Sequence, residues 1–151
     1  MKKQKTLRAV LIILIVLTLV FIFRNSTDSM EDSSALSQYV KAMLEPLLEV
    51  FVGKGNVTEH FVRKLAHFTE FFALGAEFSL LIITGKKVSA AGVSLSLLAG
   101  LISALSDETV QLFFERGSSV KDVWLDFSGF CTALALILLI HHAALKLREH
   151  R

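Results

Sequence analysis

Apolar positions gather into four long blocks, separated by polar stretches in which most of the charge lies. The first, residues 7–23, is broken only by Arg8 and Thr18 and follows Lys2, Lys3 and Lys5. The second, residues 61–84, carries Lys64, His67, Glu70 and Glu77 inside a Phe- and Leu-rich run. The third, residues 88–105, is rich in Ala90, Gly92, Ser94, Ser96, Gly100 and Ser103, small side chains that let membrane helices approach closely. The fourth, residues 123–145, has Asp126 near its start and His141 and His142 near its end. A helix of ~20 residues crosses the ~30 Å hydrocarbon layer. Lipid offers no water to an open strand edge, and no alternating barrel pattern is present, so the blocks predict helices. The expected fold is all-α: a polytopic membrane helical bundle with about four transmembrane helices.

Between the first two blocks, Leu36, Val40, Met43, Leu44, Leu47 and Phe51 recur at helical spacing. They predict an additional amphipathic helix lying at the membrane interface, with Pro46 placed to kink it. Gly53, Lys54 and Gly55 end that pattern, and Asn56 with Glu59 three residues later has the form of a cap for the second span. A single domain, 1–151, is expected: a first span within 1–24, an outer loop with the amphipathic helix over 25–60, and a three-helix core over 61–145. The basic start and apolar block also resemble a signal peptide, but no small-x-small cleavage site follows, so a retained signal anchor is expected. The sequons at Asn25 and Asn56 are too short a pattern to carry weight.

Composition agrees with a membrane setting: 53% hydrophobic, 20% charged and a mean hydropathy of +0.59. One cysteine excludes a disulfide framework and a thiolate metal cluster, and one proline excludes a Pro-rich linker. A net charge of +2, with basic residues at block ends rather than in a stripe, argues against nucleic acid as a partner. Lys2, Lys3, Lys5 and Arg8, then Lys86 and Lys87, then Lys146, Arg148 and Arg151 mark one side as cytoplasmic and place both termini there. Segments 24–60 and 106–122 then face outward. Arg63, Lys64, Arg116 and Lys121 break the charge rule on that outer side, which points to another reason for their placement.

Lys64, His67 and Glu70 are spaced three apart, forming a stripe on one side of the second span near its outer end. Ionisable groups inside a bilayer cost ~2.5–3.5 kcal/mol each on insertion scales, so such a stripe should face another helix or water. Asp107, Glu108 and Gln111 at the end of the third span, Arg116 beyond it, and Asp122 and Asp126 at the start of the fourth fall at the same depth. Two readings follow. In one, the charges are structural clamps, with Lys64 and Arg116 offsetting carboxylates. In the other, His67 with Glu70 and Asp107 does acid/base work, while Lys64, Glu108, Gln111, Arg116, Asp122 and Asp126 bind a polar or anionic ligand. A metal on His67 with Glu70, Asp107 or Asp122 is a further option, but one clear His and no HExxH motif leave no metal or cofactor assigned. Trp124 suits an interfacial anchor, Cys131 a small buried apolar position, and Gly129 with Ala133 close helix contact. Glu77 either extends the polar crevice or closes it from below.

Arg63-Lys64-x-x-His67-x-x-Glu70-Phe71-x-x-Leu74-Gly75, then Ser106-Asp107-Glu108-x-x-Gln111-x-Phe113 with Arg116, then Asp122-Val123-x-x-Asp126-x-x-Gly129, resembles the VanZ-like family of membrane proteins. The likeness covers the second to fourth spans. It departs at Asp126, where Asn is common, and at Phe71, where Tyr is common. The resemblance implies a bacterial inner-membrane protein acting at the extracytoplasmic face on a cell-envelope or lipid-linked target, in a family named for teicoplanin resistance. Implied partners are membrane lipids and a lipid-linked cell-wall precursor or another membrane protein. Enzyme and non-catalytic binding or assembly module both stay open; a transporter ranks behind them, because no internal repeat is present and the carboxylates cluster at one face.

Overall fold

The computed structural model describes residues 2–28, 30–85, 87–114 and 117–149, with the backbone alone at residues 30–33. Five helices, and no strand, occur among them: α1 Lys2–Ser26, α2 Met30–Val52, α3 Glu59–Ile83, α4 Ala90–Phe113 and α5 Val120–Glu149. α1, α3, α4 and α5 are long and apolar enough to cross a membrane, so the protein is a multi-pass membrane bundle. All four helices extend beyond at least one edge of their apolar block. The largest extension is in α4, which continues to Phe113, so Ser106, Asp107, Glu108 and Gln111 are fully helical rather than at a fraying end.

Local chemistry sets the boundaries. Thr58, in extended backbone, accepts the Phe61 N–H at 3.1 Å and starts α3. Ser89 accepts the Gly92 N–H at 3.1 Å and starts α4. Asn56 does not cap α3 as its spacing with Glu59 predicts: its amide donates to the Val52 carbonyl at 2.7 Å, closing the end of α2. That placement follows from the turn before it, where Gly53 and Gly55 both take positive φ (86° and 78°), a backbone state that only glycine adopts without strain. α2 runs unbroken through Pro46 and leaves Leu36, Met43, Leu47 and Phe51 exposed, while Val40 and Leu44 line a groove of about 610 Å³ against α1 and α3. An exposed apolar face of this kind fits a helix lying on an interface.

α3 and α5 form the centre of the bundle, with α1 against α3 and α4 against both. Glycine makes their contact possible. A Cβ on Gly75 would stand 2.3 Å from the Phe130 carbonyl oxygen, and one on Gly129 would stand 2.4 Å from that of Phe68. On α4, Gly100 leaves room for the Phe130 ring, which a Cβ there would meet at 2.7 Å. Phe130, Phe71, Leu74 and Ala133 are fully buried in this core, and Phe78 lies 5.5 Å from Phe130, centroid to centroid. The outward face of α1, including Ile12, Ile13, Val16, Leu17, Val20 and Phe21, is exposed and apolar, as a surface against acyl chains requires. Gln4 and Arg8 reach Thr84 at one end of the bundle. The end of α1, the starts of α3 and α5 and the end of α4 meet at the other.

Because the atoms opposite Gly75 and Gly129 are backbone, neither site has slack for a methyl group. Gly75→Ala and Gly129→Ala should each cost about 1–3 kcal/mol, read as a lower thermal unfolding midpoint of the detergent-purified chain. Gly117→Ala, with open space around it, should leave the midpoint unchanged.

Candidate functional site

The polar residues collect at the end of the bundle where α1 and α4 finish and α3 and α5 begin. Asp107 on α4 is fully buried, and the Ser26 hydroxyl at the end of α1 donates to one of its oxygens. The Gln111 amide donates to the other at 2.9 Å and to Glu108 at 3.1 Å, pairs that the i, i+4 and i, i+3 spacings of a helix bring together. Glu108, also buried, accepts the Ser119 N–H at 3.0 Å and so holds the approach to α5. Ser119 and Asp122 close the start of α5 reciprocally: the Asp122 N–H donates to the Ser119 hydroxyl at 3.2 Å, and that hydroxyl meets the Asp122 carboxylate at 3.0 Å. The remaining Asp122 oxygen pairs with Lys64 across the α3–α5 contact.

His67 and Asp126 face this cluster from either side. The His67 Nδ1 lies 3.7 Å from Asp107, within ion-pair reach but too far for a hydrogen bond. Asp126 is 1% exposed, and neither of its carboxylate oxygens has a hydrogen-bond partner among the described residues. One donor atom each from His67, Asp107 and Asp126 lies within 4.8 Å of the other two. Beside them opens a pocket of about 210 Å³, lined by His60, Arg63, Lys64 and His67 on α3, Glu108 and Gln111 on α4, and Asp122 and Asp126 on α5. Trp124, 60% exposed at the same end, packs edge-on against Phe127 and suits an interfacial anchor.

The structure brings together Lys64, His67, Asp107, Glu108, Gln111, Asp122 and Asp126. Glu70 is turned toward α1 instead, accepting from the Asn25 amide at 2.9 Å and lining the groove beneath α2. Arg116 lies outside the described residues. Of the metal options, neither Glu70 nor Asp122 shares the donor triangle with His67 and Asp107; Asp126 does. Glu77 accepts from Thr18 on α1 at 2.8 Å, a separate contact deeper in the bundle. Cys131 is half-buried, against the expectation of a buried position.

Ser26, Asn25, Ser119 and His60 are contributors that the sequence pattern passed over. Asn25 and Ser26 stand at the exit of an apolar block, where polar residues are ordinary, and only their partners 45 and 81 residues away give them meaning. His60 carried a usable signal, being one and two turns ahead of Lys64 and His67 on the same stripe.

A family model described as VanZ/LLP1 matches residues 10–141, from within α1 to within α5. No curated protein and no solved structure matches the chain.

Asp107 is a buried carboxylate with one of its donors, Ser26, on another helix, so loss of that donor should be felt in folding. Ser26→Ala should cost about 1.5–3 kcal/mol, as for a hydrogen bond to a charged group, again by thermal unfolding in detergent. Thr27→Ala, which removes only a bond to the Arg24 carbonyl at an exposed position, should fall within about 0.5 kcal/mol of wild type.

Proposed function

The chain belongs to the VanZ/LLP1 family, and from that premise we propose that it acts at the outer face of a bacterial cell membrane, where its polar pocket takes an anionic head group of a lipid-linked cell-envelope component and so lowers glycopeptide susceptibility. The observation that carries this reading is the pocket. Arg63, Lys64, His60 and His67 line one wall of it from α3, and Glu108, Gln111, Asp122 and Asp126 line other parts together with Gly117 and Leu125. Cations suit phosphate or carboxylate oxygens, while the carboxylates accept from hydroxyls and amides and the Gln111 amide both accepts and donates. A volume of about 210 Å³ is below the ~300–1,000 Å³ of pockets that enclose whole drug-sized ligands. It matches a polar head group whose apolar part stays in the bilayer. As an enzyme the site would use His67 as general acid or base, with Asp107 at 3.7 Å orienting the ring and stabilising its cationic form.

The exposed apolar face of α2 favours a second, non-catalytic reading, a binding or assembly module that offers α2 and its groove to lipid or to another membrane protein. The two differ in which residues matter. A sensitive bacterium expressing the wild-type chain should show a teicoplanin inhibitory concentration at least fourfold above the empty vector. His67→Ala, at equal membrane level by blot, should return it to the vector value. Retained resistance in His67→Ala together with its loss in Phe51→Ala would favour the assembly reading. No difference between wild type and vector would refute the glycopeptide role.

Orientation is open to direct measurement. In a Cys131→Ser background, Lys54→Cys between α2 and α3 should react with a membrane-impermeant maleimide on intact cells. Lys87→Cys, between α3 and α4, should react only after permeabilisation. The reverse pattern would put the pocket on the cytoplasmic side.

A further inference from the structure

Asp126 is almost fully enclosed, and both of its oxygens lack a hydrogen-bond partner among the described residues. Leaving a carboxylate so placed is costly unless something charged meets it. A ring nitrogen of His67 and an oxygen of Asp107 each contribute one donor atom, with Asp126, to a triangle no wider than 4.8 Å. Glu108, buried as well, adds a third carboxylate to the same region, whereas Lys64 is engaged with Asp122. Three carboxyl groups thus gather around one imidazole, walled by helices and reached through the pocket that His67 and Asp126 both line.

We propose that His67, Asp107 and Asp126 form a binding site for one divalent transition-metal ion of the Mn2+ or Zn2+ type. The donor set decides the class: an imidazole nitrogen selects against Mg2+ and Ca2+, two carboxylates select against Cu(I), and no thiolate takes part. Ligand bonds of ~2.1 Å place neighbouring donors ~3–4 Å apart, so the triangle closes on an ion by side-chain shifts of about 1 Å. Three protein ligands leave coordination positions open, and the accessible side of the triangle is the pocket. A metal there would draw an anionic oxygen of the head group onto itself and lower the pKa of a bound water. The site therefore deepens the reading of the pocket given above, and it rests on that reading for its ligand but not for its metal. The three donors come from α3, α4 and α5, so the ion would also tie these three helices together.

The full chain, purified in detergent, stripped with a chelator and dialysed, is titrated with Mn2+ and with Zn2+ alone. One ion per chain is expected by elemental analysis, with Asp126→Asn and Asp107→Asn weakening binding at least tenfold and Glu77→Gln, outside the cluster, leaving it within twofold. If Asp107→Asn fails to fold, His67→Ala gives an independent readout. Bound Mn2+ in the wild type should show imidazole-nitrogen modulation in pulsed electron paramagnetic resonance, and His67→Ala should lose it. Absence of stoichiometric Mn2+ or Zn2+, binding of Mg2+ or Ca2+ only, or equal binding by Asp126→Asn and Glu77→Gln would overturn the site. Metal binding without any teicoplanin phenotype would leave the site standing and remove only the glycopeptide reading; resistance in a chain that binds no metal would do the reverse.

Discussion

Backbone contact between α3 and α5 is the constraint on which the rest of the molecule depends. Gly75 under Phe130 and Gly129 under Phe68 let two parallel helices touch along their peptide groups, closer than side chains would allow. His67 precedes Phe68, and Asp126 lies one turn before Gly129, so the same contact that builds the core brings a histidine and an aspartate face to face. Lys64 and Asp122, one further turn toward the end of the bundle, pair across the same seam. Packing and polar chemistry are thus one arrangement, seen at two heights along the helix pair.

Burial of Asp107, Glu108 and Asp126 would be unfavourable if the cluster were only a collection of charges. Its members are instead divided by role. Asp107 is held by Ser26 and Gln111, Glu108 by Gln111 and the Ser119 backbone, and Asp122 by Lys64 and Ser119. These contacts draw on α1, α3, α4 and the turn before α5. The structural-clamp reading and the functional reading therefore overlap: Asp107, Glu108, Gln111 and Asp122 are held by their neighbours while lying in or beside the pocket, whereas Asp126 has no hydrogen-bond partner among the described residues and His67 borders the pocket.

Much of this was legible in the sequence because membrane helices announce themselves by length and apolarity, and because charge in lipid is rare enough to be informative. The stripe through Lys64 and His67 and the convergence with Asp107, Asp122 and Asp126 followed from helical spacing and a common depth. Glu70 shows the limit of that argument. Spacing placed it on the stripe, but three residues per step drift around a 3.6-residue turn, and by Glu70 the side chain has turned to Asn25 on α1. Asn56 failed for a different reason: a capping residue can serve the helix before it or the one after, and the positive φ of Gly53 and Gly55 decided the matter. Ser26 was illegible because its partner is 81 residues away, and no local pattern encodes such a pairing.

That long-range pair bears on how the protein is made. α1 emerges from the ribosome well before α4, so the hydroxyl that Asp107 needs is present in the membrane before the aspartate is synthesised. An acidic residue entering lipid at the end of α4 meets a prepared hydrogen-bond donor rather than hydrocarbon. The apolar first helix, which by its pattern could be taken for a simple targeting device, is on this view an assembly template, and replacing it with another anchor of equal hydrophobicity would keep the address while removing the partner.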